Sequence, residues 1–179
     1  MLDPVFDIAI RGALAALLLV AAWHKLRDPI GFWQAVSGYQ LLRENLEKPL
    51  ARLIPLVEIA LALSLVVFTS SSLPLVTVMA LWLVYGSGIA VNLLRGRTEL
   101  DCGCGGIGAD QTIHWGLVAR NGVLIAVTGF LLFPAMTREL VWFDYAAAGF
   151  ACLLLLLIYA TAEHLLRNAA LLDHEGTHP

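Results

Sequence analysis

Five stretches of roughly twenty mostly apolar residues, near 5–24, 52–70, 73–94, 115–133 and 143–165, take up most of this chain. A helix needs about 20 such residues to cross the hydrocarbon core of a bilayer. Charge is correspondingly scarce: 14% of the 179 residues are charged and 59% are hydrophobic, where soluble domains carry about 25% charged residues. The expectation is an all-α integral membrane protein, multi-pass, with about five transmembrane helices around an antiparallel four-helix bundle. One domain covers 1–166, and a polar tail covers 167–179. The lipid bilayer is the first partner implied. The net charge of −3 carries no sign of nucleic acid, and three cysteines are too few for a secreted disulfide framework. Arg11 interrupts the first apolar run and no small-residue cleavage site follows, so that run reads as a retained helix rather than a signal peptide.

The connections carry more information than the spans. Ser70, Ser71 and Ser72 separate the second and third spans, and Pro74 opens the next helix, which makes a tight helical hairpin. Pro134 stops the fourth span. Between Lys25 and Ala51, the residues Phe32, Val36, Tyr39, Leu42, Leu46 and Leu50 recur at three- and four-residue spacing among charged neighbours. That pattern predicts an amphipathic helix lying in the interface, anchored by Trp33 and Tyr39. Asp173 to Pro179 read as a disordered polar end.

The second polar connection holds Asp101-Cys102-Gly103-Cys104-Gly105-Gly106. Two thiols one residue apart either form a disulfide with each other or grip a soft metal. A Cys-X-Cys disulfide closes a very small ring, and Gly103 supplies backbone angles that a side chain would hinder. The redox reading makes Cys102 and Cys104 the catalytic pair, cycling between dithiol and disulfide. The metal reading uses the same two thiolates for Cu(I), Zn or Hg, joined by His114. No second cysteine pair completes a four-ligand site, and the spacing favours redox chemistry.

Ionisable residues inside spans are costly in lipid and face the bundle interior or a partner. Counted from the end of the bundle that holds the cysteine loop, Glu58 and Arg120 lie at depths of roughly 10 Å and 7 Å, so the geometry allows an ion pair between them. Lys25 ends the first span at the same level, where a snorkelling anchor is the commoner role. Asn121 and Asn92 complete the expected lining of a small polar cavity against the two cysteines. Arg11 is expected to snorkel toward the opposite surface, Cys152 to be a small apolar filler, and His164 to belong with the solvated tail.

In order along the chain, these features resemble the MauE family, membrane proteins of methylamine utilisation related to DoxX. The resemblance rests on Lys25, Gly38-Tyr39-Gln40-Leu41-Leu42, Leu53-Ile54-Pro55-Leu56-Val57-Glu58, Asp101 to Gly106, and Arg120-Asn121. It covers the chain to about residue 165, and the Cys-Gly-Cys followed by Arg-Asn is its most specific part. Gly105-Gly106 departs from a family pattern that often has an aromatic before the last glycine. The resemblance implies a thioredoxin-like partner, disulfide formation or maturation of an extracytoplasmic protein, and a place in the bacterial inner membrane. It implies redox work for Cys102 and Cys104, with Glu58, Arg120 and Asn121 lining the site, and it does not by itself imply the methylamine pathway. A redox-active disulfide is the one cofactor-like group expected; a quinone is a candidate electron sink for which no motif argues. A non-catalytic assembly factor with a structural disulfide is a third reading. The cysteine-loop end carries Lys25, Arg27, Arg43, Lys48, Arg52, Arg95, Arg97 and Arg167, which the positive-inside rule places in the cytoplasm. The family role calls for the opposite side.

Overall fold

A computed structural model describes residues 2–103, 112–134, 136 and 138–175, with side chains as far as residue 169. Its elements are α1 (Pro4–Arg27), α2 (Pro29–Gly38), α3 (Glu44–Val67), α4 (Leu73–Leu94), α5 (Trp115–Phe130) and α6 (Trp142–Glu175). No strand occurs among the described residues; a lone antiparallel bridge joins Asp101 to Thr112. Within α1, α3, α4 and α6 lie four helical stretches long and apolar enough to cross a membrane. The chain is therefore an all-α, multi-pass membrane protein.

The fourth expected span is shorter than its apolar run. α5 has 16 residues, about 24 Å of helix against roughly 30 Å of hydrocarbon. Leu131, Leu132 and Phe133 turn off it through bonds to the third residue back. At the other end α6 runs on as helix to Glu175, past the expected limit of the fifth span. Residues 176–179 lie outside the described residues.

The single interfacial helix expected between Lys25 and Ala51 is corrected to two pieces. Asp28 caps α2 by accepting from Gly31 N, with Pro29 in the first turn. The chain then breaks at Gln40, whose φ of +48° no helix tolerates. Leu46 and Leu50 already belong to α3, which continues through Pro49 and Pro55. Lys48 Nζ lies 4.7 Å over the Trp33 ring and Ser37 hydrogen-bonds Glu47, so α2 is strapped along the start of α3.

The core takes Leu14, Leu18, Leu65, Leu75, Val78, Trp82 and Leu124 from α1, α3, α4 and α5, the antiparallel four-helix core. α1 packs chiefly on α3 and α4 on α5. At the latter contact a Cβ on Gly86 would come 3.2 Å from Asn121 Cβ, so the helices touch at backbone distance. α6 packs chiefly on α1, and most of its apolar surface stays uncovered. Cys152 is partly buried and free, its Sγ 3.4 Å from where a Cβ on Gly12 would stand. Arg11 does not reach for the surface. It is 5% exposed and folds back on Asp7 at 2.8 Å, one helical turn away, which neutralises it inside the bundle.

Candidate functional site

Asp101 prepares the ground for Cys102. Its bridge to Thr112, with Ile113 N donating to Leu100 O at 2.9 Å, pins together the two sides of the connection between α4 and α5. Its carboxylate also accepts from Gly103 N at 2.8 Å, an Asx-type turn. Gly103 has φ +63°, and a Cβ there would meet Ala35 Cβ at 2.9 Å. Both the backbone angle and the space demand glycine. Cys102 itself is disulfide-bonded and 8% exposed, packed among Ile89, Ile113 and Leu117. Tyr39 O–H donates to Cys102 O at 3.2 Å, and burial followed by the nearby Asp101 charge pushes the Tyr39 phenol up, so it stays a donor. Cys104 lies outside the described residues.

Two charge pairs stand beside this loop, and neither joins Glu58 to Arg120. Glu58, with no exposure at all, accepts from Lys25 Nζ at 2.6 Å and from Tyr85 O–H at 2.7 Å, both on the same oxygen. Lys25 is thus a buried partner rather than a snorkelling anchor, and it sits 5.3 Å from the centres of the Phe32 and Tyr85 rings. Arg120 pairs instead with Glu163 of α6 at 2.7 Å. The Glu58–Arg120 pair fails because α3 presents Glu58 to α1, its main packing neighbour, while Arg120 turns toward α6. Removing both charges of each pair from lipid is worthwhile only because each finds its counter-charge.

A cavity of about 600 Å³ lies between α1, α2, α4 and α6, and Cys102 and Gly103 form part of its wall. Lys25 and Arg120 line it too, as do Glu163, His164 and Arg167 of α6. Most of the remaining lining is aliphatic or aromatic, so the space is largely apolar rather than the small polar cavity expected. Glu58 stands behind Lys25 and Tyr85. Asn92 is fully buried, donates to Gly88 O, and accepts from Arg97, which also reaches Gly38 O at 3.3 Å; this latch joins the end of α4 to the end of α2. Asn121, equally buried, donates to Leu117 O at 2.8 Å and packs on Gly86. His114 stands at the N-cap position of α5, and burial together with the Arg120 charge holds its imidazole below the usual range. Among the described residues no group of three or more His, Cys, Asp or Glu is arranged to hold a metal ion.

Glu163 and Tyr85 are the site neighbours that the sequence reading passed over, and Tyr39, read as an interfacial anchor, is a third. Glu163 had a signal, since it lies inside the expected span 143–165 and intramembrane acids demand a partner. His164, assigned to the tail, bonds Arg167 at 3.2 Å at the cavity wall. Tyr85 gave no such sign, because a tyrosine among apolar residues reads as core.

A family model described as methylamine utilisation protein MauE matches residues 3–134. Methylamine utilization protein MauE of Paracoccus denitrificans is 39% identical over 127 residues, which is 71% of this chain and 68% of that protein. MauE of Paracoccus versutus is 37% identical over 165 residues, 91% of this chain and 88% of the relative. MauE of Methylorubrum extorquens is 35% identical over 165 residues, 89% and 87% respectively. No solved structure matches. The matched segment holds the Cys102 loop, Lys25, Glu58 and Arg120-Asn121, and on that breadth of likeness the chain belongs to the MauE family of membrane proteins.

Proposed function

We propose that this chain is a thiol–disulfide exchange protein of the bacterial inner membrane that serves a thioredoxin-like partner and supports disulfide formation in extracytoplasmic proteins. The observation that carries the reading is the state and seat of Cys102: it is disulfide-bonded, at the rim of the bundle, against a cavity. Of three cysteines, Cys152 is free, which leaves Cys104 as the natural partner of Cys102. The relatives' names tie them to methylamine utilisation, and maturation of a disulfide-containing protein used in such a pathway fits the chemistry.

Cys102 is too buried to meet a large partner, so exchange falls to Cys104. A partner thiolate attacks the Cys104 sulfur, the bond to Cys102 breaks, and Cys102 leaves as the thiolate. The partner's second thiolate then attacks the mixed disulfide. The partner departs oxidised and the chain holds two thiols, two electrons richer. Trapping tests this sequence. Cys102→Ser should accumulate a mixed disulfide through Cys104, visible as an adduct that disappears on reduction. If neither Cys102→Ser nor Cys104→Ser traps anything while stoichiometric Cu or Zn copurifies with the wild type, the pair is a metal ligand instead.

A further inference from the structure

Resting on that reading, we propose that the cavity beside Cys102 binds a lipid-soluble quinone, which takes up the two electrons left on the cysteine pair. The cavity extends along α4 from Trp82 to Val91, about 14 Å of helix, and so runs from the depth of the span to the level of the cysteine loop. α1 and α4 both line it without packing extensively on each other. Val20 and Val84 edge the gap with more than half of their surface exposed. Such a mouth faces lipid, and the molecule that enters is one that lives there.

The wall's polar groups select the ligand's chemistry. Lys25 spends one of its three N–H donors on Glu58. Trp82 is 6% exposed, and its Nε1–H has no acceptor among the described residues. Both side chains line the cavity, Trp82 with its ring and Lys25 with an ammonium that keeps N–H donors beyond the one given to Glu58, and a ligand that offers acceptors is the match. A quinone is that ligand: two carbonyl oxygens, no donor, and a flat ring. The surroundings suit a ring as well, since Trp82 and Tyr85 have centroids 6.1 Å apart. Lys25 Nζ stands 5.3 Å from Tyr85 and 5.3 Å from Phe32, and the Phe32 ring lies 3.5 Å from the Cβ position of Gly103. Lys25 is therefore separated from the cysteine loop by the breadth of one aromatic side chain.

The step balances. Cys102 and Cys104 give up two protons and two electrons as their S–S bond forms, and the quinone takes both pairs to become a quinol. The Lys25 ammonium stabilises negative charge developing on the quinone oxygen.

The test uses the full chain in lipid nanodiscs, reduced, freed of reductant and kept from oxygen, with a short-chain ubiquinone added. One quinone should be reduced per chain as the two thiols disappear. Val84→Trp, a change at a lipid-facing edge, should slow this about tenfold by filling the mouth, and Lys25→Met should slow it about as much. In the oxidised chain the same quinone should quench tryptophan fluorescence, and Trp82→Phe should remove most of that quenching. Thiols that persist in the presence of quinone, while Cys102→Ser still traps a partner, overturn the quinone site and leave exchange standing. Equal rates in Val84→Trp and wild type, or quenching that survives Trp82→Phe, also overturn it. Loss of trapping and of quinone reduction together would sink the exchange reading itself.

Discussion

Single atoms decide the chemistry of this loop, and Gly103 shows how. Its φ of +63° costs an L-residue about 1 kcal/mol or more, and a methyl group would press on Ala35 at 2.9 Å. Gly103→Ala should therefore shift the cysteine pair toward the dithiol, because the conformation that closes the ring is the one penalised. The equilibrium against a glutathione buffer measures this, with an expected change of roughly tenfold or more in the oxidised-to-reduced ratio. Glu58 sets a second test. Glu58→Ala strands Lys25 without its counter-charge in the bundle and should cost about 3–5 kcal/mol of stability. Lys25→Met combined with Glu58→Gln should lose much less than the sum of the single changes, a coupling read from thermal or denaturant unfolding in detergent. The sequence announced Glu58 and Arg120 through their cost in lipid, yet it matched them to each other. Depth along a helix is legible in one dimension, whereas the direction a side chain faces depends on which helices pack together.

At the scale of elements, the long apolar runs declared themselves, and their ends did not. α5 stops at Phe130 and α6 continues to Glu175 because turns, caps and neighbours set helix limits, while hydropathy sets only where a helix is tolerated. The interfacial segment broke at Gln40 for a backbone reason that periodicity does not encode. The opposite end of the bundle has its own fastening. Asp3 caps α1 and accepts from Arg138, which also binds Asp144 at 2.8 Å. Leu2 N donates to Pro134 O, and Met136 N to Leu2 O. The Arg138 hydrogen bond, then the Val5 amide, holds the Asp3 carboxyl below its ordinary 3.8. A depressed acid contributes stability that is present above its unfolded pKa and lost as pH falls through the lower folded value. Amide protection factors at Leu2 and Met136 should accordingly hold steady above about pH 4 and fall as the solution is acidified below it. Arg138→Ala should give the low protection already at neutral pH.

Across the whole molecule, the four-helix core and the placement of the cysteine loop at one end followed from span order, but the cavity did not. It exists because α6 stands beside α1 and leaves α4 at a distance, a matter of packing that no local pattern records. Packing also weakens the charge argument for orientation. Of the basic residues at the cysteine end, Lys25 is paired with Glu58, Lys48 covers Trp33, Arg97 latches α2 to α4 and Arg167 holds His164. These serve the fold as well as the membrane potential. A role in extracytoplasmic disulfide formation requires the loop to face outward. A membrane-impermeant thiol reagent applied to intact cells after mild reduction should then label Cys102 or Cys104, whereas protection would place the loop inside and turn electron flow toward a cytoplasmic thioredoxin.

The claim on which all of this depends is that the cysteine pair is a reversible redox couple. Equilibrating the purified chain across glutathione buffers and counting thiols with a mass-tagged alkylating reagent measures it directly. We predict one two-electron transition, absent in Cys102→Ser and Cys104→Ser, at a potential above the roughly −300 mV below which structural disulfides lie. A disulfide that stays closed across the whole range until the protein is unfolded, or thiols that are shielded until a chelator is added, would contradict it.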